Sequence, residues 1–176
     1  MTAPNLSTLW ARTLIDELLA GGLEQFVIAP GSRSTPLTVA TAEADGATVH
    51  THLDERSAGF YALGYGKRSG EPAALISTSG TGAVNFHPAV VEANQSRTPL
   101  VVLSADRPAE LHDSGANQTI DQHDLYGDAS RFSRTLPTPD ARPRTIRSLR
   151  STVARAVTAT RSPKAGPAHL NVPLRK

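Results

Sequence analysis

Short apolar runs alternate with longer stretches of helical spacing along this chain, and that rhythm predicts an α/β fold. Ser7–Leu19 sets Ala11, Leu14, Ile15, Leu18 and Leu19 at core-facing helical intervals, and Gly21-Gly22 stops it. Gln25–Ala29 is a brief apolar run closed by Pro30-Gly31, and Pro36 suits the first turn of a helix. Thr48–Leu53 predicts a second strand and Ser57–Arg68 a second helix. Ala73–Thr78, Ala83–Gln95 and Leu100–Ala105 continue as strand, helix, strand. Residues 107–121 are polar and irregular, a loop length that usually marks function or disorder. Residues 144–160 restore a helical stripe through Ile146, Leu149, Val153, Ala156 and Val157, and Ala168–Leu174 predicts a last strand. Buried strands separated by crossover helices imply a doubly wound, mostly parallel sheet with helices on both faces, in a single domain over residues 1–176.

Charge divides the chain unevenly. Residues 1–130 carry 7 Lys/Arg against 15 Asp/Glu, and residues 131–176 carry 11 Lys/Arg against Asp140 alone. A basic segment can seek nucleic acid or an acidic partner. Arg144, Arg147, Arg150, Arg155 and Arg161 lie mostly off the apolar stripe, however, so a solvated helix face is the expectation. Few aromatic residues accompany them, which disfavours nucleic acid. Cysteine is absent, which removes disulfides and thiol chemistry. With no secretory pattern at the N-terminus and no apolar run near ~20 residues, a cytoplasmic protein without membrane contact is expected.

Several polar residues fall at predicted strand ends, where ligands of open α/β sheets bind. Asp54-Glu55 closes the second strand and opens a helix, so the pair either caps that helix or presents Glu55 to a ligand. Ser79-Gly80-Thr81-Gly82 is a strand-to-helix turn that could offer backbone N–H groups to an anion or a polar ring edge. It matches neither phosphate-loop nor dinucleotide signatures. Arg33 and Arg107 follow the first and fourth strands. Each could grip a carboxylate two-pronged, or pair locally with Asp54, Asp106 or Glu110. The six histidines show no metal-ligand spacing, so no protein-borne metal site is expected.

Together, Ala29-Pro-Gly-Ser-Arg-Ser-Thr-Pro-Leu37, Asp54-Glu-Arg56, Thr78-Ser-Gly-Thr81, Ser104-Ala-Asp-Arg-Pro-Ala-Glu-Leu111 and Gly115-Ala-Asn-Gln118 resemble a known set. They are similar to the N-terminal pyrimidine-binding domain of thiamine diphosphate-dependent enzymes. More narrowly, they resemble the menaquinone-pathway synthases that make 2-succinyl-5-enolpyruvyl-6-hydroxy-3-cyclohexene-1-carboxylate. The resemblance implies that Pro30, Glu55, Thr78 and Gly80 contact the cofactor. In that family the glutamate corresponding to Glu55 hydrogen-bonds the aminopyrimidine N1′ and favours the tautomer that activates the thiazolium carbon. Ser32, Arg33, Arg107, Asn117 and Gln118 match positions that hold the substrates. Those would be 2-oxoglutarate, which is decarboxylated, and isochorismate, to which the resulting carbanion equivalent adds.

The cofactor diphosphate and its Mg2+ or Mn2+ would be held by a Gly-Asp-Gly…Asn motif on another domain. Here Ala44-Asp45-Gly46 and Gly127-Asp128-Ala129 come nearest and neither fits, so that domain is expected to be absent from this chain. Gly82 also stands where alanine is more usual. The resemblance therefore implies half an active site, inactive by itself, and a homodimer or larger assembly with a diphosphate-binding partner domain or subunit. Two other readings stay open: a free-standing subunit of a two-chain thiamine diphosphate-dependent 2-oxo acid decarboxylase, and a non-catalytic binding module using the basic helix 142–161.

Overall fold

A computed structural model describes residues 5–175. Helix α1 (Leu6–Ala20) starts at Asn5, whose side chain accepts a hydrogen bond from Thr8 N at 2.8 Å. It is followed by β1 (Gln25–Ile28), α2 (Thr35–Ala42), β2 (Thr48–Thr51), α3 (Glu55–Ser69) and β3 (Ala73–Ser77). The predicted helix at 83–95 is interrupted, giving α4 (Thr81–Val84) and α5 (His87–Gln95), with Pro88 in the first turn of α5. Then come β4 (Leu100–Asp106), β5 (Phe132–Thr135), α6 (Pro143–Arg161) and β6 (Pro167–Pro173). The polar stretch after β4 contains one 3-10 turn, Ala109–Leu111.

Six strands form one sheet in the order β2-β1-β3-β4-β6-β5, and every neighbouring pair is parallel. The sheet is thus all-parallel where the sequence pattern implied mostly parallel. It also has a strand, β5, that the pattern did not predict. Strand alternation sends Phe26, Ile28, Ile76, Val101, Leu103 and Leu170 into a core with α1, α2 and α6. Val27, Leu75, Leu100 and Val102 face the opposite way, into a second core with α3 and α5. Central strands buried on both faces explain why they read as unbroken apolar runs. No described helix is long and apolar enough to cross a membrane.

The chain winds from β1 outward to β2, then returns past β1 to β3 and onward. The carboxyl ends of β1 and β3 therefore flank a topological switch point, where connections diverge to opposite faces and leave a crevice. Because all strands run the same way, the residues after β1, β2, β3 and β4 share one edge. Arg33, Glu55, Gly80 and Arg107 all lie along it.

Candidate active site

At the switch point the backbone turns are pressed together. A Cβ on Gly31 would fall 2.4 Å from Thr78 Cβ, so the turn after β1 can approach the end of β3 only with glycine there. Pro30 is exposed beside it, while Thr78 is buried. On the other side of Thr78, a Cβ on Gly82 would stand 2.8 Å from Glu55 Oε1 and 3.4 Å from Thr78 Cγ2. Glu55 and Thr78 thus converge on the notch left by Gly82.

The two acidic residues after β2 divide the roles left open by the sequence. Asp54 is the cap: its Oδ1 accepts from Ser57 N at 2.7 Å, and that bond foremost holds its pKa below the ordinary value. Glu55, first residue of α3, is partly buried, and its carboxylate meets no hydrogen-bond donor or cation among the described residues.

The Ser79–Gly82 turn has one of its backbone donors committed within the fold. Gly80 has a φ of 81°, and its N–H is already donated to Gln122 Oε1 at 2.7 Å. The helix it opens, α4, has only 4 residues. One backbone donor of the turn is therefore already engaged. Gln118 lies over it: a Cβ on Gly80 would meet the Gln118 carbonyl at 3.1 Å. Gln118 itself has a φ of 53°, an unusual left-handed conformation for a residue with a side chain. Such backbone strain persists where surrounding contacts enforce it.

Arg33 is 6% exposed. Its Nη1 donates to the Leu174 carbonyl at 2.7 Å, and its Nε has no hydrogen-bond partner among the described residues. Burial, then the nearby Arg107 cation, hold its pKa below the ordinary value, with Asp106 opposing them. Arg107 is half-buried and donates from Nε (3.2 Å) and Nη2 (2.7 Å) to the Asn117 carbonyl. Neither arginine forms an ion pair among the described residues. The three carboxylates proposed as local partners are engaged elsewhere. Asp54 caps α3, Glu110 pairs with Arg175 at 2.7 Å, and Asp106 accepts from Asn171 Nδ2 and Arg107 N, each at 2.7 Å. Asp106 is fully buried, and desolvation raises its pKa against those two hydrogen bonds.

Ser32, Asn117 and Gln118 are exposed on the same edge, their side chains free of intramolecular hydrogen bonds among the described residues. An open cleft of about 370 Å³ is lined by Ser32, Arg33, Thr35 and Arg175 together with the start of α1. Glu55 does not line it, so the two arginine-side and carboxylate-side features are adjacent parts of an edge rather than one enclosed cavity. Among the described residues no group of three or more His, Asp or Glu is gathered to hold a metal ion.

Sequence reasoning passed over Gln122, His169 and Asn171, all buried beneath this edge. His169 and Asn171 did leave a signal, as two polar residues at alternate positions on one face of an apolar strand.

Comparison with known proteins agrees with this layout. Residues 10–125 match the family model described as thiamine pyrophosphate enzyme, N-terminal TPP binding domain. Three proteins named 2-succinyl-5-enolpyruvyl-6-hydroxy-3-cyclohexene-1-carboxylate synthase align with the whole chain. They come from Halobacterium salinarum (61% identical), Haloarcula marismortui (60%) and Chlorobaculum parvum (50%). The chain spans 30% of the length of each of these curated relatives. With its parallel sheet, its glycine-lined switch point and a glutamate opening the helix after β2, the chain belongs to the thiamine pyrophosphate enzyme family, as an N-terminal TPP-binding domain.

Proposed function

We propose that this chain is the pyrimidine-side half of a thiamine diphosphate-dependent synthase. The reaction is decarboxylation of 2-oxoglutarate and addition of the resulting carbanion equivalent to isochorismate. The observation that carries the reading is the juxtaposition on one edge of charges that meet no counter-ion among the described residues: Glu55 without a donor, and Arg33 and Arg107 without an ion-paired carboxylate. A buried cation lacking a counter-ion is costly, and functional sites are where such costs concentrate.

The residues suit the pyrimidine end of the cofactor. Glu55 and Thr78 border a notch that a Cβ at Gly82 would fill, Pro30 precedes the Gly31 turn that packs on Thr78, and Gly80 is close-packed against Gln118. When bound, the cofactor supplies the carbon nucleophile that makes decarboxylation feasible. Glu55 is placed to share a proton with the ring nitrogen. Arg33 and Arg107 receive substrate carboxylates, with Ser32, Asn117 and Gln118 as neutral hydrogen-bonding groups around them. The diphosphate and Mg2+ or Mn2+ belong to a partner domain or subunit, so the chain alone is inactive.

Assembly follows from the surface beside Glu55. Leu53 is 94% exposed, and Phe60, Tyr61, Val84 and Val91 are also exposed on the α3–α5 side. Apolar groups so placed suit contact with a second copy or a partner domain, leaving the basic α6 outside. Light scattering across concentrations should report a homodimer or larger species.

Two measurements test the reading. Calorimetry of the chain with thiamine diphosphate and magnesium should show no one-site binding tighter than about micromolar. Assembled with its diphosphate-binding part, the protein should consume 2-oxoglutarate and isochorismate together. Equal turnover of a 2-oxo acid lacking the second carboxylate would overturn the arginine assignment.

A further inference from the structure

Beneath the ligand edge runs a chain of buried side chains whose hydrogen bonds converge on one carboxylate, Asp106. Gly80 N–H donates to Gln122 Oε1 at 2.7 Å. Gln122 Nε2 donates to Asn171 Oδ1 at 2.9 Å and to the Ala105 carbonyl at 3.2 Å. Asn171 Nδ2 donates to Asp106 Oδ2 at 2.7 Å, and Asp106 Oδ1 accepts from Arg107 N at 2.7 Å. Gln122 and Asp106 are 0% exposed and Asn171 is 1% exposed.

The orientation of each amide is forced. Gly80 N–H can only donate and the Ala105 carbonyl can only accept, so Gln122 has one workable placement. Asn171 must then turn its oxygen to Gln122 and its nitrogen to the carboxylate. Ser104 Oγ donates to Asn171 Oδ1 at 2.9 Å and lies 2.8 Å from His169 Nε2. With its own proton directed to Asn171, Ser104 can only accept from His169, which places the imidazole proton on Nε2. The buried Nδ1, which lacks a partner, is then a bare lone pair rather than a stranded N–H.

Both ends of this chain are main-chain N–H groups of the candidate site, one in the turn after β3 and the other in the turn after β4. We propose that Gln122 is a positioning residue that, through Asn171 and Asp106, locks the Gly80 turn and the Arg107 turn into one unit. Aligned dipoles ending on a carboxylate reinforce one another in a dry interior, so a break in the middle is felt at both ends. The lock also seats Gln118, whose backbone rests on Gly80, while Arg107 holds the neighbouring Asn117 carbonyl. Cofactor-side and substrate-side contacts thereby keep a fixed spacing. The functional consequence rests on the site reading above; the lock itself does not.

Amide hydrogen exchange of the full 176-residue chain tests the lock. Gln122→Met removes both hydrogen-bonding ends of the side chain at similar volume. The Gly80 and Arg107 amides should exchange about fivefold faster or more, the scale of one lost hydrogen bond, while Leu75 and Val102 in the central sheet stay unchanged. A uniform rise across the sheet, or a rise at Gly80 alone, would overturn the proposal. If Gln122→Met does not fold, Asn171→Ser shortens the middle link and should loosen the same two amides; continued protection of Gly80 overturns it.

In the assembled enzyme, Gln122→Met should raise KM for the 2-oxo acid and lower kcat together, because it moves both turns. Gln122→Glu keeps an acceptor for Gly80 but has no donor for Asn171 or Ala105, so it should not restore the kinetics. Faster Gly80 and Arg107 exchange with unchanged kinetics supports the lock and counts against the site reading. Altered kinetics with unchanged exchange overturns the lock and leaves the site reading standing.

Discussion

The arginines of α6 and the two arginines of the ligand edge carry the same guanidinium into opposite surroundings. On α6, Arg150 Nη1 meets Glu17 Oε2 at 3.0 Å. Arg161 meets Glu71 at 2.8 Å and the Gly21 carbonyl at 2.9 Å, and Arg155 sits 5.5 Å over the Phe132 ring. The basic last quarter of the chain thus directs part of its charge to the acidic remainder, while Leu149, Val153, Ala156 and Val157 seal the helix onto the core. Among the described residues, Arg33 and Arg107 donate their side-chain hydrogen bonds to carbonyl groups and form no ion pair, Asp106 acting on Arg33 only through space. Pairing at a surface is cheap and contributes little. A buried guanidinium without a counter-ion raises the energy of the folded chain, and a carboxylate ligand would relieve it. On the proposed function, the difference separates charges that dress a fold from charges held ready for a ligand.

The sharpest way to break that contrast is Glu55→Gln in the assembled enzyme. Glu55 makes no hydrogen bond or ion pair among the described residues, so melting should change by well under about 1 kcal/mol, the scale of a charge in a helix's first turn. Turnover should fall ~10²–10⁴-fold, the scale of a positioned proton-transfer group. Near-normal turnover with normal melting would remove Glu55 from the proposed role and leave the ligand edge without its acid.

Acidification probes the layer under the edge. His169 is buried beside Ser104 and Tyr126, and desolvation lowers its pKa from 6.5 to about 4. The folded chain therefore binds fewer protons than the unfolded one between these values. Its contribution to stability is complete above about pH 6.5 and is lost as pH falls toward about 4. The loss amounts to roughly 3 kcal/mol. His169→Gln should lack this acid limb in denaturant unfolding. Asp106 shifts in the opposite sense, gaining stability on acidification, but it is common to both proteins and cancels in the difference. Parallel pH profiles would mean that His169 is not held neutral.

Arg107→Ala comes next in size. Losing one charge-assisted contact to a carboxylate costs about 1.5–3 kcal/mol, so KM for the 2-oxo acid should rise roughly ten- to a hundredfold. Exchange of the cofactor's reactive C–H proton, which the proposed mechanism assigns to Glu55, should persist. Loss of both together would mean that Arg107 acts by holding the Asn117 carbonyl, as structure rather than as a substrate contact.

Much of this layout was legible because local pattern carries it. Apolar runs such as Leu100–Ala105 announced strands buried on both faces, and in an all-parallel sheet counting strand ends placed Arg33, Glu55, Gly80 and Arg107 on one edge. What escaped was non-local or weak. The Gly80 N–H is taken by a residue 42 positions away, and Asp106 meets Asn171 at a separation of 65. No window of sequence could reveal that a polar side chain in a loop would occupy the turn. Strand β5 is four residues at an edge, partly exposed, with Arg134 facing out. It pairs with β6 without supplying an apolar run of its own. The break between α4 and α5 could have been suspected from Pro88, which cannot donate a helical hydrogen bond.

The smallest expected effects sharpen the opening contrast most cleanly, because they set two arginines against each other in one assay. Arg150→Ala removes an exposed pair with Glu17, and the melting free energy should change by about 0.2–1 kcal/mol, shrinking further in high salt. Arg33→Met instead removes a buried cation that has no carboxylate. It gives up one hydrogen bond to the Leu174 carbonyl but also the desolvation of the charge, and an apolar chain of similar length fills the space. Stability should stay level or rise, even as substrate binding in the assembled enzyme falls. Denaturant unfolding of both variants at low and high salt decides the matter. If Arg33→Met proves the more destabilising of the two, Arg33 is a structural clamp on the end of β6. The ligand edge would then be dressed with charge in the same way as α6.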